Sequence, residues 1–347
     1  MITNCAILKK FYNTNRNEYA LNLRGDNMKK ILIFFLMLSL FLTGCAAGEE
    51  EIEKKSDTLT VYTTVYPLQY FAERIGGKYV ETKTVYPPGA DEHSFEPTQK
   101  DMMKLADADL FIFIGLGLEG FVEKAKETLK DEDVQMIAAG ENVHLDTTIE
   151  TDSAHEEEDH HEEEHHGDDG HNHGDIDPHI WIDPIYAKGL AEATKNALIE
   201  KMPKHKDDFN ANYDELINEL DQLNNDFKTV VDQAQHKEII VSHAAFGYWE
   251  KRYGIKQISV SGLNSSNEPT QKQLEKIINE AKEHDLKYVF FEQNVSSKLT
   301  EIIQKELGAE PLYLHNLSVL TNQDIDNDST YFSIMNENLK ALEKALN

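Results

Sequence analysis

An acidic, histidine-rich tract between His155 and His173 is the stretch of this sequence that most directly indicates a chemistry. Of its 19 residues, 7 are histidine and 9 are aspartate or glutamate. Imidazole nitrogens and carboxylate oxygens are the donors that borderline divalent metals accept in water, zinc above all. Because the tract cannot bury a core, we predict a solvated loop, and we interpret it as an auxiliary metal-binding segment rather than a merely solubilising charge run. Its candidate ligands are His155, His160, His161, His165, His166, His171 and His173.

The overall composition limits the kinds of partner and site. The chain has 347 residues, long enough for two domains, and a formal net charge of −29. So acidic a protein is poorly suited to nucleic acid or to an anionic membrane surface, and we expect neither as its main partner. Cys5 and Cys45 are the two cysteines of the sequence, so a thiolate metal site is not available. Any ordered metal site must therefore use histidine, aspartate and glutamate.

The segment before the first predicted strand has the features of an export signal followed by a tether. Two lysines precede a run from Ile31 to Leu42 that is apolar except for one serine, and the run ends in Leu42-Thr43-Gly44-Cys45. This pattern resembles a lipoprotein signal peptide over residues 28–44. We therefore expect a lipid on Cys45 and a flexible tether over residues 45–57.

Residues 1–27 have no place in front of such a signal. We interpret them as an incorrectly assigned extension, with translation beginning at Met28. We therefore predict an extracytoplasmic protein that is anchored to the cell membrane by its lipid, as at a Gram-positive cell surface.

Short apolar strands alternate with amphipathic helices on both sides of the tract. Four strand patterns fit within residues 58–184 and four more within residues 236–347. This alternation predicts parallel sheets with helices on both faces. We therefore expect an N-terminal α/β lobe at 58–184, which includes the histidine-rich loop at 150–176, and a C-terminal α/β lobe at 236–347.

The segment between the lobes, residues 185–235, reads as helical. From Phe209 to Val231 apolar residues recur every three or four positions, which predicts one amphipathic helix over about 28 residues. At ~1.5 Å per residue such a helix spans on the order of 40 Å, more than the width of one small domain. The predicted fold class is therefore α/β, with two Rossmann-like lobes joined by a long rigid backbone helix.

Three histidines outside the tract lie where strands give way to loops. His93 follows the second strand of the first lobe, His179 follows the tract, and His243 ends the first strand of the second lobe. Ligands of open parallel sheets bind beyond the carboxyl ends of the strands. Each histidine alone is more typical of a satisfied loop or core residue, but three in such positions indicate a site.

These features together resemble the zinc-binding solute-binding lipoproteins of ABC transporters, the ZnuA/AdcA type of cluster A-I. The resemblance covers residues 58–347. Its motifs stand in the family's order: the lipobox, Pro88-Gly89-Ala90 with His93 and Phe95-Glu96-Pro97-Thr98, the acidic tract, Asp177-Pro178-His179-Ile180-Trp181, Ser242-His243-Ala244-Ala245-Phe246-Gly247-Tyr248, and Phe291-Glu292.

The resemblance implies a function and its partners. It implies that zinc is held between two lobes by His93, His179 and His243, and that the long helix limits lobe closure. It also implies delivery of the metal to a membrane permease driven by a cytoplasmic ATPase. We further expect a monomer without enzymatic activity.

One position departs from the family pattern. Zinc binders of this group often have a glutamate in a Leu-Asn-x-Leu-Glu-Gly-Leu segment, where it acts as a fourth ligand, but this chain has Ser318 there. A neutral hydroxyl is a poor zinc ligand, so the fourth position stays open. Water or a residue of the tract could be the fourth ligand. The other candidates, either as the fourth ligand or as a residue that contacts a ligand, are Glu92, Glu292, His315 and Ser318.

Donor type decides among the possible metals and functions. Three imidazoles suit tetrahedral zinc. The resemblance implies a different ligand set, two histidines and two carboxylates, for manganese receptors of the same cluster. We therefore expect one tight zinc site and additional weak sites on the tract. The alternatives are a manganese or other divalent-metal receptor, a surface zinc store or adhesin, and a zinc hydrolase, since three histidines and a water also make a catalytic zinc site.

Overall fold

Two four-stranded parallel sheets organise the chain, one before and one after a long helix in the sequence. The computed structural model describes residues 58–145, 176–265, 269–293, 295 and 298–347. The strands are β1 Leu59–Thr63, β2 Val80–Thr84, β3 Leu110–Phe113, β4 Gln135–Ala138, β5 Glu238–His243, β6 Lys256–Ser261, β7 Tyr288–Phe291 and β8 Glu310–Tyr313. The α-helices are α1 Tyr66–Gly76, α2 Gln99–Ala106, α3 Val122–Leu129, α4 Pro184–Lys201, α5 Lys206–Asp232, α6 Gly247–Tyr253, α7 Gln271–Glu283, α8 Lys298–Leu307, α9 Asn322–Asp326 and α10 Tyr331–Ala345.

The first sheet has the strand order β2-β1-β3-β4, with all neighbouring strands parallel. Its central strand β3 is buried along its whole length, as expected of a strand covered by helices on both faces. The loop between β2 and α2 leaves the carboxyl edge of this sheet and contains His93. It ends at Thr98, whose hydroxyl accepts a hydrogen bond from the backbone N–H of Asp101 and so caps α2.

The second sheet repeats this arrangement. Its order is β6-β5-β7-β8, again all parallel, so β5 and β7 occupy the central places that β1 and β3 occupy in the first sheet. His243 is the last residue of β5 and is fully buried. It therefore lies at the carboxyl edge of a central strand, where open parallel sheets bind ligands.

The long helix α5 packs against both lobes. It runs from Lys206 to Asp232, close to the predicted extent, and buries one face. Near its beginning, the side-chain amide of Asn212 donates a hydrogen bond to the carbonyl of Ile75 at the end of α1 (2.9 Å). Near its other end, the ring of Phe227 packs on Trp249 and Tyr253 of α6, with centroids 5.2 and 5.5 Å apart. One continuous helix therefore contacts both lobes.

The two lobes also share one hydrophobic core. A single cluster of buried apolar side chains extends from Leu59 in β1 to Leu346 after α10, and a second, smaller cluster around Ile240 and Ile303 belongs to the second lobe. The predicted fold class is confirmed. Because the core is continuous, the lobe boundaries at residues 184 and 235 stay predictions.

Some short elements were not expected from the sequence. They are the helix α9 and several turns of 3-10 helix, of which Ile180–Ile182 follows His179 directly. Such segments are too short to show a helical period in the sequence.

Four predicted features lie outside the described residues. They are the extension at 1–27, the export signal at 28–44, the lipid-bearing Cys45 with its tether at 45–57, and the histidine-rich tract. Within the described ranges no helix is both long and apolar enough to cross a bilayer.

Candidate metal centre

Four side chains from three separate parts of the chain meet between the two sheets. Glu92 and His93 come from the loop after β2, His179 from the turn before α4, and His243 from the end of β5. Each offers one potential ligand atom, and these four atoms all lie within 4.8 Å of one another. The structure therefore brings together the three histidines singled out from the sequence and one of the four candidates for the fourth position, Glu92.

The spacing of the imidazole nitrogens suits a tetrahedral metal. The Nε2 atoms of His93 and His179 are 3.2 Å apart, and those of His179 and His243 are 3.4 Å apart. Two donors at ~2.0–2.1 Å from a tetrahedral zinc ion are separated by about 3.3–3.4 Å. The three rings are also steeply inclined to one another, with interplanar angles of 64° to 83°. Inclined rings let the nitrogens approach one point from different directions.

Two buried carboxylates determine which ring nitrogens are free. Oδ1 of Asp177 lies 2.7 Å from Nδ1 of His179, and Oε1 of Glu292 lies 2.7 Å from Nδ1 of His243. An ionised carboxylate only accepts hydrogen bonds, so in the neutral form of either ring the proton is on Nδ1. The Nε2 atom of each ring then carries the lone pair, and it faces the other imidazoles of the group. A histidine that ligates a metal is commonly held by such a carboxylate.

The charges around the centre favour a cation. Glu92, Asp177 and Glu292 are each no more than 6% exposed. Isolated buried carboxylates are costly unless a positive charge or hydrogen bonds compensate them. Burial raises the pKa of Glu92, and the neighbouring histidines His179 and His243 oppose that shift. A divalent ion at the centre would supply the missing positive charge directly.

The pKa values of two of the histidines are shifted in opposite directions. Burial, helped by the charges of His179 and His243, lowers the pKa of His93 to about 3, so this ring is neutral near pH 7. For His243 burial again acts to lower the pKa, but the charge and hydrogen bond of Glu292 outweigh it and the pKa is raised. Glu292 therefore increases the basicity of this imidazole, which strengthens it as a metal donor.

The loop that contains Glu92 and His93 is held at several points. The hydroxyl of Tyr86 donates to the carbonyl of Glu92 (3.3 Å), and the backbone N–H of His93 donates to Oδ1 of Asp91 (3.0 Å). From the second lobe, Oγ of Ser265 donates to Oδ2 of the same aspartate (3.2 Å). These contacts present the two adjacent side chains to the centre.

The other candidates for the fourth position lie at different distances from the centre. Glu92 belongs to the four-residue group, whereas Glu292 contacts the far nitrogen of His243. The ring of His315 is engaged elsewhere: its Nδ1 accepts from the N–H of Leu317 (2.8 Å), and its Nε2 is 3.2 Å from Asp324. The hydroxyl of Ser318 donates to the side chain of Asn316 (2.8 Å). The structure does not include His315 or Ser318 in the ligand group.

Two residues that contact this group, Asp177 and Asn316, had no role predicted from the sequence. Asp177 stands two positions before His179, and that Asp-x-His spacing was a usable signal for a carboxylate–imidazole pair. Asn316 donates from Nδ2 to Oε1 of Glu92 (3.3 Å) across 224 positions of sequence. No local sequence pattern predicts a contact between residues so far apart in the chain.

The family model described as "Zinc-uptake complex component A periplasmic" matches residues 61–345. The chain is 32% identical over 322 residues to the high-affinity zinc uptake system protein ZnuA of Bacillus subtilis (strain 168), covering 92% of this chain and 98% of that protein. It is 31% identical over 314 residues to the zinc-binding protein AdcA of Streptococcus pyogenes serotype M3, covering 90% of this chain. The match spans only 61% of the length of that AdcA.

A solved structure gives the same result for the fold. The Zn(II)-bound ZnuA-like domain of Streptococcus pneumoniae AdcA aligns with a TM-score of 0.67 at 29% sequence identity. The alignment covers 83% of this chain and 99% of that domain. The similarity therefore extends over both sheets and the helix between them.

Proposed function

This chain belongs to the zinc-uptake complex component A family, and from that premise we propose that it is the extracytoplasmic zinc receptor of an ABC-type importer. It captures Zn²⁺ between its two lobes and delivers it to a membrane permease driven by a cytoplasmic ATPase. The observation that carries this proposal is that Nε2 of His179 lies 3.2 and 3.4 Å from the Nε2 atoms of His93 and His243, close to the donor spacing around a tetrahedral zinc ion.

The proposed ligands are His93, His179, His243 and Glu92. Three imidazoles and one carboxylate oxygen complete a four-coordinate site, which suits zinc better than manganese, whose receptors use more oxygen donors. Asp177 and Glu292 hold two of the imidazoles from behind. Zinc is the transported ligand, so the site must bind it tightly and also release it.

We further propose how the protein is placed at the membrane. A lipid on Cys45 anchors it as a monomer on the outer side, and residues 45–57 tether the lobes within reach of the permease. We expect the parent protein in the membrane fraction. The Cys45→Ser variant should instead be released into the medium. A Cys45→Ser variant that stays with the membrane would contradict the anchor.

Metal analysis of the protein that lacks residues 1–44 tests the proposed function. We expect one tightly bound zinc ion per chain, recovered after exchange into metal-free buffer. Several tight ions would favour the surface zinc store, and tighter binding of manganese would favour the manganese receptor. Turnover of an ester, peptide or phosphate substrate by the zinc-loaded protein would favour the hydrolase.

Replacing Glu292 by Gln should weaken zinc binding about tenfold, at the lower end of the effect of such outer partners. The amide oxygen still accepts the hydrogen bond of His243, but the negative charge that makes this imidazole more basic is lost. Competition with a chromophoric chelator measures the change. The matched control is Glu283→Gln, an exposed residue of α7, which should bind zinc like the parent. Equal affinity of the two variants would exclude the proposed role of Glu292.

Deleting residues 155–173 should leave the tight site and remove the weak ones. A polar tract must lose conformational entropy to bind a metal, so its sites start at a disadvantage to a preformed one. Its negative charge and its histidines still raise the local zinc concentration, so growth under zinc starvation should suffer more than equilibrium affinity. A zinc titration measures both classes of site. A tenfold or larger loss at the tight site would instead make the tract part of that site.

A further inference from the structure

The chain bends after β8 at residues 315–319, and this turn contacts the metal-binding group from the second lobe. In it, Nδ2 of Asn316 donates a hydrogen bond to Oε1 of Glu92 at 3.3 Å, and both side chains are buried. Glu92 belongs to the loop after β2 in the first lobe. The bond therefore joins the two lobes at one of the proposed ligands.

The orientation of the Asn316 amide is fixed by its neighbour. Its Oδ1 accepts hydrogen bonds from both the backbone N–H and the hydroxyl of Ser318, at 3.0 and 2.8 Å. A backbone N–H can only donate, so the atom it meets must be the amide oxygen. The NH₂ group is then the end that faces Glu92, and it is a donor suited to a carboxylate.

The turn itself is held from several sides. The indole N–H of Trp181 donates to the carbonyl of Asn316 (2.6 Å), and the backbone N–H of Tyr66 donates to the carbonyl of Ser318 (2.9 Å). Between them Leu317 adopts a φ of 61°, a left-handed conformation that a leucine rarely takes. Such a backbone persists only where its surroundings determine it, and it often occurs at functional sites.

From these contacts we propose that Asn316, oriented by Ser318, is the positioning residue that holds Glu92 as the fourth ligand of the metal centre. This inference rests on the proposed zinc site. Oε1 is also the oxygen of Glu92 that lies 3.9 Å from Nε2 of His93, so the bond holds the carboxylate with this oxygen beside the imidazoles. A carboxylate held in one orientation favours coordination through one oxygen, which keeps the site four-coordinate, as zinc prefers. The same bond also makes the complete ligand set depend on the apposition of the lobes.

The test is a double-mutant cycle of Asn316→Ala and Glu92→Ala, with zinc affinity measured by chelator competition. We expect Asn316→Ala to lose about tenfold in affinity in the parent, as outer partners of metal ligands do. In the Glu92→Ala background it should cause no further loss, because the group it positions is gone. An equal loss in both backgrounds would overturn the proposal.

Two further variants separate the donor from the stability of the turn. Asn316→Ser keeps a side-chain oxygen for the N–H of Ser318 but cannot reach Glu92, so it should lose as much affinity as the alanine variant. Asn338→Ala is the matched control. The side-chain amide of Asn338 accepts a hydrogen bond from the backbone N–H of His315 and donates one to its carbonyl, both at 2.8 Å, in the same turn. It should change zinc affinity much less. A loss in Asn338→Ala as large as in Asn316→Ala, or Asn316→Ser binding like the parent, would refute the donor role.

Cobalt(II) provides a spectroscopic readout independent of affinity. The parent loaded with Co²⁺ should show the intense visible bands of a four-coordinate ion, and Asn316→Ala the weaker bands of a higher coordination number. Unchanged bands would count against the proposal. His179→Ala is measured alongside: if it binds zinc like the parent, the zinc site itself is wrong. If it loses zinc while Asn316→Ala does not, only the present inference fails.

Discussion

Replacing His179 by Ala should lower zinc affinity by about 100-fold or more, because outer partners of a ligand alone are worth 10–100-fold. His179 is the central member of the group, with its Nε2 3.2 Å from His93 and 3.4 Å from His243. Its removal deletes one of three strong donors and leaves Asp177 buried without its imidazole partner. Chelator competition at pH 7.5 measures the loss.

A surface histidine is the control for this substitution. His284 follows α7 and pairs with Glu238 through Nδ1 at 2.7 Å, and its side chain is 37% exposed. His284→Ala should bind zinc like the parent. Both variants should keep their far-ultraviolet circular dichroism without zinc. A His179→Ala variant with parental affinity would exclude the proposed site.

Replacing Trp181 by Ala should destabilise the zinc-free protein by about 3–5 kcal/mol, the usual cost of truncating a large buried aromatic residue. Its side chain is fully buried, its indole N–H donates to the carbonyl of Asn316 at 2.6 Å, and its own carbonyl accepts from the hydroxyl of Tyr331 at 2.9 Å. The indole thus fills the core between His179 and the turn that reaches Glu92. Denaturant unfolding in the presence of a chelator measures the change, because bound zinc would itself add stability.

Two comparisons make this second result specific. Trp181→Phe keeps most of the volume but leaves the carbonyl of Asn316 without its donor, and should cost about 1–3 kcal/mol. Met103 is 69% exposed on α2, so Met103→Ala should change stability by no more than about 0.5 kcal/mol. A Trp181→Ala variant as stable as Met103→Ala would show that the indole does not support this region.

The strands and helices were predictable because their signal is local. Short apolar runs indicated the strands, and apolar residues at intervals of three and four from Phe209 to Val231 indicated α5, which extends from Lys206 to Asp232. The parallel arrangement follows from the alternation of strands and helices. The continuous core shared by the two lobes did not follow, because the pattern shows which face is apolar but not what covers it.

The site was predictable to the extent that it depends on chain position. His93 and His243 follow or end strands, and the carboxyl ends of parallel strands share an edge, so their proximity could be expected. The pairing of Glu292 with His243 required two neighbouring strands, β5 and β7, to be in register. The choice of Glu92 over His315 for the ligand group depended on which ring nitrogens were already engaged.

The donor types, the order of the elements and the three candidate histidines were predictable from the residues alone, because residue identity and hydrophobic period are properties of neighbouring positions. The imidazole spacing, the tautomer of His243 and the carboxylate that faces the centre followed from tertiary contacts alone. Those depend on contacts such as that of Asn316 with Glu92, which are 224 positions apart and meet only when both lobes pack on the same helix. Hydrogen bonds form over about 3 Å, so such contacts are specified by packing and not by spacing along the chain.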